Sequence, residues 1–228
     1  MNLLALDTST EFLSLALQLG DKSFSHYQHA GQASSQLVLP QIQALLDSAK
    51  ITLIDLDGIA FGAGPGAFTG VRVACGVAQG LGFGANIPVV GVNTLLAVAQ
   101  ASGEERVIVC LDARMGEIYH AAFERENNSW KELSATQVCK PQDSPVLARE
   151  AVGVGSGWIV YGEILSKVYA KNLLKVLENI TPKAEAILQL AAPIFAAGQA
   201  KPASEAMPIY IRNRVALTSA ERQAGQRL

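Results

Sequence analysis

The sequence predicts an α/β protein of two lobes, in which a smaller second lobe repeats the architecture of the first. Half of the 228 residues are hydrophobic and 17% are charged, which is enough apolar material for a buried core and excludes a disordered chain. Strand-like and helix-like patterns alternate along the chain, and their order begins again near residue 103. A chain of this length fits one large domain or two small ones.

The first lobe opens with three predicted antiparallel strands. Residues 3–6 form a short apolar run typical of a buried strand, and residues 7–10 (DTST) form a polar turn. Leucines alternate with smaller or polar residues over 13–19, which predicts a strand with one buried face. Because residues 20–21 (GD) suit a two-residue hairpin turn, we expect residues 22–29 to be the returning strand.

Three helices and two further strands are expected before residue 102. Ser34 or Ser35 can cap a helix in which Val38, Ile42 and Leu45 recur at helical spacing. Because proline fits a helix only in the first turn or at a kink, we expect Pro40 to lie at one of these two places. The remaining elements are predicted as a strand over 58–61, a helix over 68–84, a strand over 88–92 and a helix over 94–101 that Asn93 or Thr94 caps.

The same order of elements is repeated after residue 103. An apolar run over 107–111 ends at Asp112, a polar turn follows over 113–116, and residues 117–123 alternate as a second strand does. A third strand is expected near 133–138. Two copies of a strand–strand–strand–helix–strand–helix unit define a duplicated RNase-H-like fold. This is the architecture of actin, sugar kinases and heat-shock ATPases, which bind nucleotide between their lobes.

The repeat divides the chain into four predicted parts. Residues 1–102 form the first lobe and residues 103–182 form a reduced second lobe. Residues 183–215 contain an amphipathic helix, over 187–197, that packs back on the lobes. Residues 216–228 are expected to be a flexible tail.

Composition narrows the function classes. The formal net charge is −2, whereas a protein that binds nucleic acid alone usually carries a basic excess. The three cysteines match no zinc-binding spacing, so we expect free thiols and a reducing compartment. We expect a cytoplasmic protein without a membrane partner, because the chain shows no signal peptide and no apolar run that spans a bilayer.

Four stretches of the chain resemble the motifs of one protein family. They are residues 5–10 (ALDTST), 64–72 (GPGAFTGVR), 112–117 (DARMGE) and 210–213 (YIRN). On these motifs the chain is identified as a member of the TsaB family, also called the YeaZ type. The resemblance extends from residue 1 to about residue 216.

This resemblance implies a supporting role in tRNA modification. TsaB proteins are shortened relatives of the catalytic subunit TsaD, which works with the ATPase TsaE to transfer a threonylcarbamoyl group to the adenosine beside the anticodon. The resemblance implies a homodimer that exchanges one copy for TsaD through the same helical surface, and tRNA contact only through the complex. It implies no catalytic residue in this chain and no required cofactor, with ATP or ADP bound only in the complex.

Glycines on the helix over 68–84 point to a close contact. Gly76, Gly80 and Gly84 fall four residues apart on one face, and each costs about 1 kcal/mol relative to alanine in a helix interior. Either the protein's own sheet or another helix can be the neighbour, and the family resemblance favours another helix. We therefore predict a partner interface made of Val38, Ile42, Leu45, Thr69, Arg72, Val73, Gly76 and Gly80.

The two polar turns are candidate nucleotide contacts. In actin-like ATPases the first turn reads Asp-x-Gly-Ser/Thr, but Ser9 stands here in place of the glycine that lets backbone N–H groups approach phosphate. In the second turn, the guanidinium of Arg114 can pair with a phosphate. The simpler explanation is that Asp7 and Asp112 end strands and cap turns. The candidate contacts are Asp7, Thr8, Ser9, Asp112, Arg114 and Gly155.

Other chemistry finds less support in the sequence. TsaD-like proteins hold a metal with two histidines four residues apart on the helix that follows the third strand, and this chain has no histidine there, so we expect no metal.

The alternative function is a stand-alone actin-like ATPase or small-molecule kinase, with Asp7 and Asp112 holding Mg²⁺. The basic segment from Tyr210 onward is either a solvated tail or an arm that touches tRNA phosphates in the complex.

Overall fold

A computed structural model describes residues 1–127 and 129–212 and contains two five-stranded mixed sheets. The strands of the first sheet are β1 (Asn2–Asp7), β2 (Phe12–Leu19), β3 (Lys22–His29), β4 (Gly58–Gly64) and β5 (Val89–Asn93). They lie in the order β3-β2-β1-β4-β5. The first three strands are antiparallel, as predicted, and β4 and β5 run parallel to β1.

The second sheet repeats this topology strand for strand. Its strands are β6 (Arg106–Arg114), β7 (Glu117–Glu126), β8 (Ser129–Cys139), β9 (Ala151–Val154) and β10 (Leu173–Leu177). They lie in the order β8-β7-β6-β9-β10, with β6, β7 and β8 antiparallel and β9 and β10 parallel to β6. The predicted duplicated RNase-H-like fold is therefore confirmed.

Five α-helices cover the sheets in the described part of the chain. They are α1 (Ser34–Ala49), α2 (Phe68–Ala85), α3 (Thr94–Ser102), α4 (Gly157–Val168) and α5 (Ala184–Ala196). The predicted cap of α3 is confirmed, because the Asn93 side chain accepts hydrogen bonds from the first backbone N–H groups of that helix. Helix α1 continues through Pro40, which lies in its second turn.

The helices form layers on both sides of the first sheet. Helices α1 and α2 pack on one face, over a core that contains Leu4, Leu6 and Leu15. Helices α3 and α5 pack on the opposite face, so the late helix lies against the first lobe. Helix α3 also packs on β6, β7 and β9, and α4 covers the other face of the second sheet. The lobes thus share α3 as a common layer.

The second lobe is reduced where the first lobe has α1. Between β8 and β9 the chain forms only a short 3-10 turn, Pro141–Asp143. No clear pattern in the sequence predicts β9, α4 or β10, because β9 has only four residues and exposed apolar residues interrupt the periodicity of α4. No helix among the described residues is long and apolar enough to cross a membrane.

Candidate partner-binding site

Helix α1 has an inner face that packs against the first sheet and an outer face at the surface. Val38, Ile42 and Leu45 are only 1%, 3% and 8% exposed and belong to the core of the first lobe. The prediction that these three residues line a partner interface is therefore wrong. Their helical spacing marks the stripe that faces the sheet, whereas Leu39 and Asp47 lie on the outer side.

The glycine stripe of α2 lies on its outer side. A Cβ atom added at Gly76, Gly80 or Gly84 would meet no other atom within 4 Å. The protein's own sheet is therefore not the neighbour that these glycines accommodate. By contrast, a Cβ at Gly82 would lie 2.9 Å from Val89, so that glycine serves internal packing. The open stripe leaves room for a second helix backbone to come close.

The exposed surface around the stripe carries almost no charge. Helices α1 and α2 contain one charged residue each, Asp47 and Arg72. Exposed apolar side chains stand beside the stripe instead, namely Leu39, Phe68 and Phe83, the last of which is 77% exposed. A surface helix normally has a charged outer side, and loss of charge with gain of aromatic residues is typical of the core of an interface.

Helices α1 and α2 pack against each other, and their exposed residues define a candidate surface, which we call the outer helical face. It comprises Leu39 and Asp47 of α1 and Thr69, Arg72, Val73, Gly76, Gly80, Phe83 and Gly84 of α2. Of the predicted interface residues, Thr69, Arg72, Gly76 and Gly80 are exposed here and Val73 is half-buried. The prediction missed Leu39 and Phe83, although the near absence of charge over 34–49 and 68–85 was a visible signal.

The first polar turn lies beneath the loop that precedes α2. Asp7, Thr8 and Ser9 are at most 2% exposed. The Thr8 hydroxyl donates a hydrogen bond to the carbonyl oxygen of Gly70 over 2.6 Å, and the backbone N–H of Ala67 donates to the Ser9 carbonyl over 2.8 Å. The first turn of α2 lies so close that a Cβ at Gly70 would be 1.8 Å from the Thr8 carbonyl oxygen.

The Asp7 carboxylate is buried within this closed turn. Its Oδ1 accepts hydrogen bonds from the backbone N–H and the hydroxyl of Ser9, both over 2.9 Å, whereas its Oδ2 has no partner among the described residues. Burial raises the pKa of Asp7 to about 6. In this conformation Asp7, Thr8 and Ser9 do not fit a bound phosphate, since a nucleotide could reach them only if residues 64–70 moved away.

The second polar turn is open by comparison. Asp112 Oδ1 accepts a hydrogen bond from the backbone N–H of Arg114 over 2.8 Å, and the Arg114 side chain, 86% exposed, lies 3.1 Å from Asp112 Oδ2. The Tyr161 hydroxyl lies 3.4 Å from the same carboxylate. Gly155 serves packing, because a Cβ there would lie 2.8 Å from the Cys110 carbonyl oxygen and its φ is +101°. Arg114 is thus the candidate nucleotide contact that solvent reaches.

The fold and this surface define a two-lobed actin-like protein whose most prominent exposed feature is a helical face. Comparison with known proteins identifies the family. The sequence model of the TsaD family, described as tRNA N6-adenosine threonylcarbamoyltransferase, matches residues 26–218.

Curated relatives and solved structures give a closer match. The chain is 37% identical to the tRNA threonylcarbamoyladenosine biosynthesis protein TsaB of Escherichia coli (strain K12), over 95% of this chain and 96% of the relative. The Haemophilus influenzae TsaB is 36% identical over 94% and 95%. The YeaZ structure from Pseudomonas aeruginosa has a TM-score of 0.83 and 38% identity, over 92% of this chain and 99% of that chain. The chain therefore belongs to the TsaB family, as its motifs predicted.

Proposed function

We propose that this chain is a non-catalytic scaffold subunit of the complex that forms N6-threonylcarbamoyladenosine in tRNA. In that complex it activates the catalytic subunit TsaD together with the ATPase TsaE. The observation that carries the proposal is the outer helical face, which is exposed, nearly uncharged and lined by open glycines. A pair of helices laid on this face would complete a four-helix interface.

The family relationship supports TsaD as the partner. The chain matches the sequence model of the TsaD family over most of its length, so TsaD would present a corresponding pair of helices in the corresponding place. A surface that packs against its own copy about a two-fold axis can then pack against a related subunit in the same way. The free chain is accordingly a homodimer that exchanges one copy for TsaD.

The two polar turns support the assignment of the chemistry to the partner. The first turn is closed by Ala67 and Gly70, which disfavours a stand-alone ATPase or kinase that grips phosphate there. ATP or ADP is expected only in the complex, near the exposed Arg114. With a net charge of −2, the chain would contact tRNA only through the complex, in the cytoplasm.

The first test is size-exclusion chromatography with light scattering, on the chain alone and mixed with TsaD from the same organism. We expect a homodimer that converts to a one-to-one complex with TsaD. The mixed complex should form the modified nucleoside when TsaE, ATP, tRNA and the threonylcarbamoyl-adenylate donor are added, and omission of this chain should abolish that activity. The proposal is wrong if the chain does not bind TsaD, or if the chain alone hydrolyses ATP with saturation kinetics.

A further inference from the structure

The last described residues cross from the first lobe to the second. We call residues 207–212 the strap. The backbone N–H of Ile209 donates a hydrogen bond to the Ala63 carbonyl at the end of β4, over 2.7 Å. Arg212 forms an ion pair with Glu117 at the start of β7, and its Nη1 lies 3.6 Å from the Met115 sulfur. The strap is thus fixed at both lobes, which sets the position of Tyr210 between them.

Tyr210 and a residue of α2 hold the side chain of Arg72 between two aromatic rings. The Cζ atom of Arg72 lies 3.2 Å from the centre of the Phe68 ring and 5.0 Å from the centre of the Tyr210 ring. The two ring centres are 6.4 Å apart, and both residues are 51% exposed. The guanidinium of Arg72 is therefore held in place by cation–π contacts at the surface.

Arg72 has no acidic partner within the described chain. No carboxylate oxygen among the described residues lies within 4.0 Å of its guanidinium, whereas Arg106, Arg114, Arg149 and Arg212 each have one. Arg72 is also the one positive charge that α1 and α2 contain. A planar cation that is already oriented loses little entropy when it forms a bidentate pair with a carboxylate.

We propose that the strap is part of the partner-binding surface and that Arg72, held by Phe68 and Tyr210, receives a carboxylate of the TsaD subunit. The inference rests on the proposed function, because it takes TsaD as the partner. It adds an acidic side chain that TsaD must present, and an element outside α1 and α2 that prepares the site. Arginine and aromatic residues at such a position are typical of the few residues that dominate binding.

The surroundings of Arg72 favour a protein partner over nucleic acid. Binding to a phosphate backbone requires several cations along one track, and α1 and α2 supply a single one beside open glycines and apolar side chains. A carboxylate inside an otherwise apolar protein interface needs only one arginine. The arrangement therefore fits an interface anchor.

Isothermal titration calorimetry with TsaD tests the inference at two or more salt concentrations. We expect Arg72→Gln to weaken binding by about tenfold or more and to reduce the salt dependence of the affinity, because the ion pair is lost. Arg72→Lys keeps the charge but loses the planar contact, so affinity should fall while the salt dependence remains. Tyr210→Ala and Phe68→Ala should each weaken binding several-fold with the salt dependence retained.

The matched control is Arg149→Gln, which removes an exposed arginine from the second lobe and should leave the affinity for TsaD unchanged. Thermal melting of each variant separates loss of binding from loss of folding. If the unaltered chain binds TsaD and Arg72→Gln binds equally well with the same salt dependence, the inference is wrong and the proposed function stands. If Arg72→Gln instead weakens only the binding of tRNA by the complex, Arg72 is a nucleic-acid contact. If the unaltered chain does not bind TsaD, both fail.

Discussion

The two lobes start from the same local structure and use it differently. In the first lobe Asp7 accepts a hydrogen bond from the backbone N–H two residues later, and in the second lobe Asp112 does the same. The first polar turn is closed by the loop before α2 and by the start of that helix, whereas the second turn leaves Arg114 in solvent. The shared hydrogen bond therefore does not determine whether a lobe can hold a ligand, because the segment packed on the turn decides its access.

The helices on the two sheets show the same contrast. In the first lobe α1 and α2 cover one face of the sheet. Their outer sides carry little charge, and the outer side of α2 has glycines with open space beside them. The described residues of the second lobe include no counterpart of α1, and α4 contains Glu163 and Lys167 besides exposed apolar residues. The first lobe thus combines a closed polar turn with an exposed helical face of low charge.

Substitution of Gly70 by alanine tests how tightly the first turn is closed. The added Cβ would lie 1.8 Å from a backbone oxygen of Thr8, which cannot move without opening the turn. We expect the free energy of unfolding to fall by more than about 4 kcal/mol, beyond the usual 1–3 kcal/mol of overpacking. Urea denaturation followed by circular dichroism measures the change.

The control lies in the second turn. Gly116 has a φ of +76°, and a Cβ there would meet nothing within 4 Å, so Gly116→Ala should cost only about 1–2 kcal/mol of left-handed strain. Equal losses for the two variants would contradict the difference between a closed and an open turn.

A pair of neighbouring residues on α1 separates the inner face from the outer face. Ile42 is 3% exposed and Leu39 is 51% exposed. Ile42→Ala should lower the free energy of unfolding by about 2–5 kcal/mol, because it leaves a cavity against the sheet. Leu39→Ala should change stability by less than about 0.5 kcal/mol and weaken binding to TsaD instead. Urea denaturation and calorimetry of both variants measure stability and binding to TsaD. If Ile42→Ala kept its stability but failed to bind TsaD, the assignment of Ile42 to the inner face and Leu39 to the outer face would be contradicted.

The same residues show what the sequence could and could not predict. The strands of the first lobe, the Asn93 cap of α3 and the repeat were predictable, because they depend on local alternation, turn residues and periodicity, whereas the predicted Ser34 or Ser35 cap of α1 was wrong, since both serines lie inside that helix. Helical spacing located Val38, Ile42 and Leu45, but the spacing of apolar residues identifies the face that meets the protein's own core. The candidate interface is recognised by features that are missing from the outer sides of the helices, namely charged side chains and the Cβ atoms of the glycines. These features can be assigned to the outer sides only when the residues that face the core are known.

Contacts between segments that are distant in the chain could not be predicted from the sequence. The Tyr210 motif was visible as part of a family resemblance, yet nothing in it predicted packing against Phe68 and Arg72, far away in the chain. The closing of the first turn depends likewise on contacts of Thr8 and Ser9 with residues 66–70. Such contacts follow from the path of the chain over the sheet.

Asp7 in the first lobe and His120 in the second lobe are buried groups that titrate in the acid range, and they respond oppositely to pH. Burial raises the pKa of Asp7 from 3.8 to about 6 and lowers the pKa of His120 from 6.5 to about 4. Below pH 6 the folded state takes up a proton at Asp7 that the unfolded state binds only near pH 4, so acid stabilises the fold. Between pH 6.5 and 4 the unfolded state protonates His120 and the folded state does not, so acid destabilises it.

In the unaltered chain these two contributions offset each other. Each shift corresponds to about 3 kcal/mol, so Asp7→Asn should make the stability fall between pH 6 and 4 by about that amount relative to the unaltered chain. His120→Gln should produce the opposite slope relative to it, between pH 6.5 and 4. Urea midpoints measured across this range report the slopes, and parallel curves for the three proteins would contradict the assignment.

The open glycines allow the two lobes to be compared directly in binding. Gly80 of α2 and Gly162 of α4, the latter directly after a kink at Tyr161, are both positions at which a Cβ would meet nothing within 4 Å. Neither Gly80→Leu nor Gly162→Leu should destabilise the chain, because leucine favours a helix more than glycine does. Gly80→Leu should weaken binding to TsaD by at least about tenfold, or about 1.4 kcal/mol, because the side chain fills the space that a second helix needs. Gly162→Leu should leave binding unchanged, since α4 lies on the other lobe. Calorimetry measures the affinity of both variants for TsaD. If both variants weakened binding equally, the outer helical face would not be the interface.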